Sequence, residues 1–255
     1  VSCNDAAAAG AEPIGLLVTL LAPPSVTESD IAGVADELSL AAKSANVEII
    51  GGHTEVTDSV TRMITNATVI AKAGDRGIIT PAGVKEGDDI VITKWACLEG
   101  TSIIANDFAC RLSDMEAGEL DEARGFIELV SVVKEGLYAY SKGAHAMHDV
   151  TEGGVFGAAW EMSEASGIGM EIYAENVPVK AVTRKICQKL SIDPLRLLSS
   201  GAMMIACPNG ADLVKGLISI GINAAVVGKA HGNGVRLSTG ETILPPEADE
   251  LYKLY

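Results

Sequence analysis

The chain has 255 residues, of which 48% are hydrophobic and only 4% are aromatic. This length and apolar fraction are enough for one large domain or two modest domains with packed cores. The formal net charge of −15 repels the phosphate backbone of nucleic acids, so general nucleic-acid binding is excluded. No apolar run approaches the length of a membrane span and no signal peptide is visible, so we expect no membrane partner.

Cysteine usage indicates the compartment. The five cysteines are scattered and none forms a Cys-x-x-Cys pair. Reduced thiols in a cytoplasmic protein are the simplest interpretation.

The first part of the chain predicts a helix remnant, three strands and one longer helix. The apolar run at residues 14–21 is typical of a buried strand. Thr27 is predicted to cap a helix, with Asp30 three residues on in a capping box. The other predicted elements are a helix remnant at 6–11, a short strand at 47–50 and a longer strand at 61–73.

The second part alternates strands and helices. Glycine, proline and charge are concentrated at residues 81–89, where we place a boundary between domains 1–85 and 86–255. Strands are predicted at 90–95, 169–173, 202–207 and 224–227, and a further strand is predicted to end at Met147. Helices are predicted at 101–108, over a long stretch from Phe126 to Leu137, at 155–166, at 182–190 and at 210–217, with a final hairpin at 235–244. This alternation favours an α/β or layered α+β fold.

One turn contains the densest chemistry. Between a predicted strand and a predicted helix lies His148-Asp149-Val150-Thr151-Glu152-Gly153-Gly154. The helix amino terminus offers free N–H groups and a partial positive charge, which favour an anion. His148 and Asp149 form a candidate acid–base or metal pair. A well-capped helix start, with Thr151 as the cap, is the alternative, and the residues alone leave both open.

Three other stretches combine polar groups with glycines or helix starts. Asn4-Asp5 suits a helix cap as well as a ligand site. Gly51-Gly52 at a strand end would let a backbone approach a phosphate closely, and an ordinary turn is the alternative. His53 and Glu55 would share a face if that strand continues. Ser200-Gly201 precedes a strand and fits a pocket lining or a plain turn.

The order and spacing of these stretches resemble the aminoimidazole ribonucleotide synthetase-related superfamily. The segments that carry the resemblance are Asn4-Asp5, Gly10-Ala11-Glu12-Pro13, Gly51-Gly52-His53-Thr54, His148 to Gly154, and Ser200-Gly201. The hydrogenase maturation factor branch, whose members dehydrate a carbamoylated cysteine, is most similar at Ala165-Ser166-Gly167-Ile168-Gly169, Val177-Pro178-Val179 and Asp193-Pro194-Leu195. The resemblance covers essentially the whole chain.

The resemblance implies an ATP-dependent enzyme of two α/β domains. It implies a homodimer formed through the sheet of the N-terminal domain, with ATP and Mg²⁺ as cofactors. The reaction would be phosphoryl transfer from ATP to an oxygen of the substrate, which turns that oxygen into part of a leaving group. The substrate would be a small molecule or a group carried on a protein thiol.

The resemblance also assigns roles to residues of this chain. The nucleotide would contact Asn4, Asp5, Gly51, Gly52, His53, Thr54, Gly153 and Gly154. The metal would be held by Asp5 and Glu55. The substrate and the transferring phosphate would face His148, Asp149 and Thr151.

Departures from the family pattern support a second hypothesis. The chain starts after the family's first strand and its aspartate-containing segment, so we expect a truncated N-terminal domain. His53 stands where many relatives have an acidic residue, so a metal ligand would be lost or replaced by Glu55 or Asp58. No cysteine follows Cys207, so we expect no carbamoyl dehydration on a terminal cysteine of this chain. A catalytically silent nucleotide-binding or scaffold paralogue is therefore the alternative.

Overall fold

The computed structural model describes residues 1–255 and contains two separate sheets. The helices are α1 (Ser2–Ala8), α2 (Glu28–Ser44), α3 (Leu98–Asp107), α4 (Ala117–Arg124), α5 (Val133–Ser141), α6 (Gly154–Ser166), α7 (Ala181–Leu190) and α8 (Gly210–Ser219). The strands are β1 (Ala11–Ala22), β2 (Glu48–Val56), β3 (Ile64–Ala73), β4 (Asp89–Thr93), β5 (Ala146–Val150), β6 (Met170–Ile172), β7 (Ala202–Cys207), β8 (Ala224–Ala230) and β9 (Val235–Leu237).

The N-terminal sheet has three strands in the order β2-β1-β3. Strand β1 runs parallel to β2 and antiparallel to β3, with Thr19 opposite His53. Helix α2 begins after Thr27, whose hydroxyl accepts a hydrogen bond from the Asp30 N–H, and the Asp30 carboxylate accepts one from the Thr27 N–H. The predicted capping box is therefore confirmed.

One face of this small sheet is covered thinly and the other face is open. The core between α2 and the sheet consists of Leu16, Ala42 and Val47, and no residue of β2 is buried. Apolar side chains between 39% and 52% exposed occur on all three strands, and include Leu17, Ile50, Ile64 and Ile70. These side chains form an apolar face of the small sheet that no other element of the chain covers.

The C-terminal sheet has six strands in the order β5-β7-β4-β8-β6-β9. It is buried on both sides, because residues 90–92 of β4 alternate between two cores and none of them is exposed. Helices α3, α6 and α7 supply the larger core, and α1, α5 and α8 supply the other. Helix α1 precedes the small sheet in the chain, yet its Ala7 and Ala8 pack into the second core of the large sheet.

The predicted α/β class is confirmed, and three of the predicted elements need correction. Strand β2 continues through the Gly51–Glu55 stretch, because β1 pairs with it as far as Val56. Strand β5 extends beyond Met147 to Val150, because β7 pairs with it there.

The third correction concerns the long helix predicted from Phe126 to Leu137. It is broken into a 3₁₀ turn (Gly125–Leu129) and α5. The Asn4 side chain hydrogen-bonds to the Val130 carbonyl and the Val132 N–H, two groups that would pair within the helix if it were continuous. None of the helices in the structure has the length and apolar character needed to cross a bilayer.

Candidate active site

His148 and Asp149 lie on β5, the edge strand of the large sheet. Successive side chains of a strand point to opposite faces. The neighbours Ala146 and Val150 belong to the core on the α6 side, whereas Met147 belongs to the core on the α1 side. His148 therefore faces α6, and Asp149, which is 4% exposed, faces α1.

Both ring nitrogens of His148 face carboxylate oxygens. Nε2 lies 2.6 Å from Oε2 of Glu161 on α6, and Nδ1 lies 3.7 Å from Oδ1 of Asp149. Burial lowers the pKa of His148, but the hydrogen bonds and charges of Asp149 and Glu161 outweigh burial and raise the pKa from 6.5 to about 9. The imidazole is therefore cationic at neutral pH, so it suits charge neutralisation better than general-base catalysis.

The charges of His148 and Asp149 also act on a third carboxylate, that of Asp5. Helix α1 packs against β5, and the pKa of Asp5 is raised, first by burial and then by the negative charge of Asp149, while His148 opposes the rise. The structure thus brings together three residues that the sequence singled out, Asp5, His148 and Asp149. Sequence reasoning missed Glu161, because it lies 13 residues beyond His148 on a helix whose rotation about the strand no local spacing defines.

The raised pKa of His148 predicts a pH-dependent stability. A group with a folded pKa above its unfolded pKa stabilises the fold in full below the unfolded value, near 6.5, and this contribution is lost as pH rises through about 9. Glu161→Gln should therefore lower the free energy of unfolding near pH 6 and have little effect above about pH 9.5. The loss near pH 6 should be at most ~1 kcal/mol, since Glu161 is half exposed.

Urea denaturation across this pH range provides the measurement, with Glu164→Gln as the control. Glu164 is exposed on the same helix and makes no ion pair. An equal effect of Glu161→Gln at both ends of the range would contradict the assigned pairing.

The turn after β5 leads directly into α6. Helix α6 begins after Gly153, which has a φ of +77° and lies in the left-handed region that favours glycine. The expectation that Thr151 caps this helix is wrong, because the Gly153 N–H donates instead to Oδ2 of Asp249, at 2.8 Å. The Gly154 N–H donates to the Thr151 carbonyl, and the Thr151 hydroxyl makes no hydrogen bond within the chain.

Asn4 is fully engaged inside the fold. Its side chain is 1% exposed. Nδ2 donates to the Val130 carbonyl at 2.8 Å, and Oδ1 accepts from the Val132 N–H at 2.9 Å. Asn4 therefore ties α1 to the segment before α5, and it is neither the helix cap nor a free amide.

The Gly51–Glu55 stretch lies far from this cluster within one chain. His53 pairs with Thr19, eight residues along β1 from Ala11 beside α1, which is roughly 27 Å at the usual strand rise. Gly51, Gly52, His53 and Thr54 line a groove of about 390 Å³ between α2 and β2. The predicted shared face is present, since His53 Nε2 lies 3.5 Å from Oε2 of Glu55. No three His, Cys, Asp or Glu side chains of the chain are grouped to hold a metal ion.

A buried ion pair lies at the end of β4. Nζ of Lys94 lies 2.8 Å from Oε1 of Glu135 on α5, and it also donates to the carbonyls of Leu129 and Ser131. The backbone of Lys94 has a φ of +53°, which is uncommon outside glycine. Lys94 and Asn4 thus hold the same segment, residues 129–132, from two sides.

These features define the class of protein. It is a two-domain α/β protein with a carboxylate–imidazole cluster at the edge of its larger sheet. Residues 1–73 match the family domain "AIR synthase related protein, N-terminal domain", and residues 85–238 match "AIR synthase related protein, C-terminal domain". The chain belongs to the AIR synthase related protein family.

Similar curated proteins include hydrogenase expression/formation proteins and carbamoyl dehydratases. A hydrogenase expression/formation protein of Methanocaldococcus jannaschii is 29% identical over 205 residues, covering 80% of this chain and 58% of the relative. Carbamoyl dehydratase HypE of Bradyrhizobium diazoefficiens is 27% identical over 231 residues, covering 89% of this chain and 66% of the relative. The chain thus spans less than two thirds of the length of these relatives.

Solved structures share the fold. Escherichia coli HypE, a hydrogenase maturation protein, superposes with a TM-score of 0.82 at 23% identity, covering 100% of this chain and 80% of that one. HypE in complex with ATP gives a TM-score of 0.80 at 19% identity, covering 98% and 78%. Thiamine monophosphate kinase of Aquifex aeolicus gives 0.75 at 16% identity, covering 95% and 79%.

Proposed function

We propose that the protein is an ATP-dependent enzyme that phosphorylates an oxygen of its substrate, as a relative of the hydrogenase maturation factors. Asp149 carries this proposal. Asp149 is 4% exposed, and its Oδ1 lies 3.7 Å from Nδ1 of His148, whose other ring nitrogen pairs with Glu161. Asp149 and Glu161 face the same imidazolium, and the negative charge of Asp149 also raises the pKa of Asp5. This excess of negative charge at a largely buried position favours a cationic ligand.

The donor set fits a Mg²⁺ ion. Asp5 and Asp149 are close enough for the charge of one to raise the pKa of the other, and a divalent cation between them would relieve this repulsion. Mg²⁺ is usually bound by one or two carboxylates, with water and substrate phosphates completing the octahedron. When bound, the ion would neutralise charge on the phosphates of ATP. Glu55 lies too far along β2 to join this set within one chain.

The other residues of the cluster act on charge and position. The His148 imidazolium, fixed by Glu161, neutralises negative charge that develops on the transferring phosphoryl group. The Thr151 hydroxyl is free to orient the substrate oxygen beside it. Phosphoryl transfer needs little covalent chemistry from a protein beyond such positioning and neutralisation.

The open face of the N-terminal sheet supports a homodimer. A second copy would cover the exposed apolar side chains of β1, β2 and β3. It would also offer its own Gly51–Glu55 stretch, which one chain alone keeps away from Asp5 and Asp149. The nucleotide site proposed here is therefore shared between copies, with His53, Thr54 and Glu55 of one facing the carboxylates of the other.

Leu17→Glu tests the shared site. We expect a dimer for the wild type, and a monomer that has lost at least about tenfold in ATP affinity for the variant, because a charge at the interface core opposes association. Ile218→Glu is the control, since Ile218 is comparably exposed but lies on α8 of the other domain. Light scattering and calorimetry of Mg-ATP binding provide the measurements. A monomeric wild type that binds ATP as tightly as the variant would refute the shared site.

A silent nucleotide-binding or scaffold protein is the second candidate. Two observations favour it: the Asn4 amide and the Gly153 N–H, both expected to face nucleotide, are paired inside the chain. Calorimetry separates the candidates when it is combined with a phosphate-release assay. The enzyme binds and turns over Mg-ATP in the presence of an acceptor group on a small molecule or a protein thiol, whereas the scaffold binds it without turnover.

A further inference from the structure

A side chain from the far end of the sequence holds the turn after β5. Oδ2 of Asp249 accepts the Gly153 N–H at 2.8 Å, although the two residues are 96 positions apart. Oδ1 of the same carboxylate accepts the Leu251 N–H at 2.8 Å. Both oxygens are therefore committed, and the carboxylate is fixed in orientation as well as in place.

The segment that carries Asp249 is firmly packed. We call residues 246–255 the C-terminal strap. Leu251 and Leu254 are buried in the larger core, and Oε2 of Glu250 accepts the Asp193 N–H at 3.1 Å. Pro246 lies against Gly153 so closely that a Cβ on that glycine would come within 2.8 Å of its ring. The strap is thus a fixed part of the fold from which Asp249 can act.

No other side chain holds this turn. Within residues 151–154, the remaining hydrogen bonds join backbone groups: the Thr151 carbonyl accepts the N–H groups of Gly154 and Ser199. Helix α6 has no side-chain cap of its own. A carboxylate at a helix amino terminus is favourable both as a hydrogen-bond acceptor and as a charge against the helix dipole.

We propose that Asp249 is a positioning residue for the reaction, because it fixes the turn that places Thr151 and the end of β5. The proposal rests on the function proposed above, in which Asp149 and Thr151 face the ligands. Asp249 lies beyond residues 85–238, the range of the C-terminal family match.

Asp249→Ala, Asp249→Asn and a matched control test the proposal. In Asp249→Ala we expect the Gly153 amide hydrogen to exchange with solvent at least about tenfold faster. We also expect kcat for Mg-ATP turnover to fall about tenfold while KM for ATP changes less than about twofold, since misplacing reacting groups affects the transition state more than binding. Asp249→Asn retains one acceptor oxygen where the carboxylate has two, so it should recover only part of kcat.

Asn209→Ala is the matched control, because Asn209 caps α8 by accepting the Asp212 N–H at 3.2 Å, away from the turn. It should leave Gly153 exchange and kcat unchanged. Unchanged Gly153 exchange in Asp249→Ala, or an equal loss of kcat in Asn209→Ala, overturns the proposal. So does fast exchange combined with wild-type kcat. If the wild type itself does not turn over ATP, the proposed function fails, and the exchange rates still decide whether Asp249 holds the turn.

Discussion

Asp149→Asn is expected to reduce Mg-ATP turnover by about a thousandfold while leaving the fold intact. Removing one preorganised electrostatic group from a phosphoryl- or acyl-transfer site costs on the order of 10²–10³ in rate, and a carboxylate that also helps to hold Mg²⁺ belongs at the upper end. The replacement has nearly the same size. The amide keeps an acceptor oxygen that can face Nδ1 of His148, so the unfolding midpoint should shift little.

Steady-state phosphate release and thermal unfolding measure the two effects separately. Glu164→Gln is again the control, since it removes one carboxylate from exposed surface of α6. Unchanged turnover in Asp149→Asn would show that the residues His148 to Gly154 serve only to start a helix.

Lys94→Met and Glu135→Leu are each expected to destabilise the fold by about 3–5 kcal/mol, because either change leaves a buried charge without its partner. Both side chains are buried, and the pKa of Lys94 is lowered by burial despite the opposing charge of Glu135. Lys94 also supplies donors to the carbonyls of Leu129 and Ser131, so its loss should free the segment before α5.

The double variant is the decisive comparison. Replacing a buried ion pair by apolar groups of similar volume is often close to neutral, so Lys94→Met with Glu135→Leu should recover part of the loss caused by Glu135→Leu alone. The recovery stays incomplete because the carbonyls of Leu129 and Ser131 lose their donor. Urea denaturation of the four proteins gives the coupling free energy directly. A double variant whose loss equals the sum of the single losses would contradict a direct pairing.

Local patterns predicted many elements correctly. The strand expected at 202–207 coincides with β7, the helix expected at 155–166 differs from α6 by one residue, and the Thr27 capping box is present. These features depend on hydrophobic periodicity and on contacts within four residues, which the order of side chains along the chain encodes. The family resemblance is confirmed by both domain matches.

The predicted elements were wrong where a distant partner decides the local structure. The broken helix before α5 follows from Asn4, which takes backbone groups about 126 positions away. The length of β2 follows from pairing with β1, and that pairing moved Gly51–Glu55 from a turn into a strand. The local order of side chains does not show which distant residues will pair with a segment. Periodicity therefore predicts a longer helix before Leu137 and an earlier end of β2.

The sequence by itself determined the α/β class, the family and the polar turn at His148 to Gly154, because these depend on composition, periodicity and motif order. Only the tertiary structure decided how that turn is built. Asp149 and Glu161 together make His148 a cation. Asp249 accepts the Gly153 N–H, which Thr151 or a phosphate was expected to bind, and Asn4 holds α1 to the segment before α5. The physical reason is that the charge of a histidine and the pairing of a buried N–H depend on the atoms within about 4 Å, and these come from strands and helices that only folding brings together.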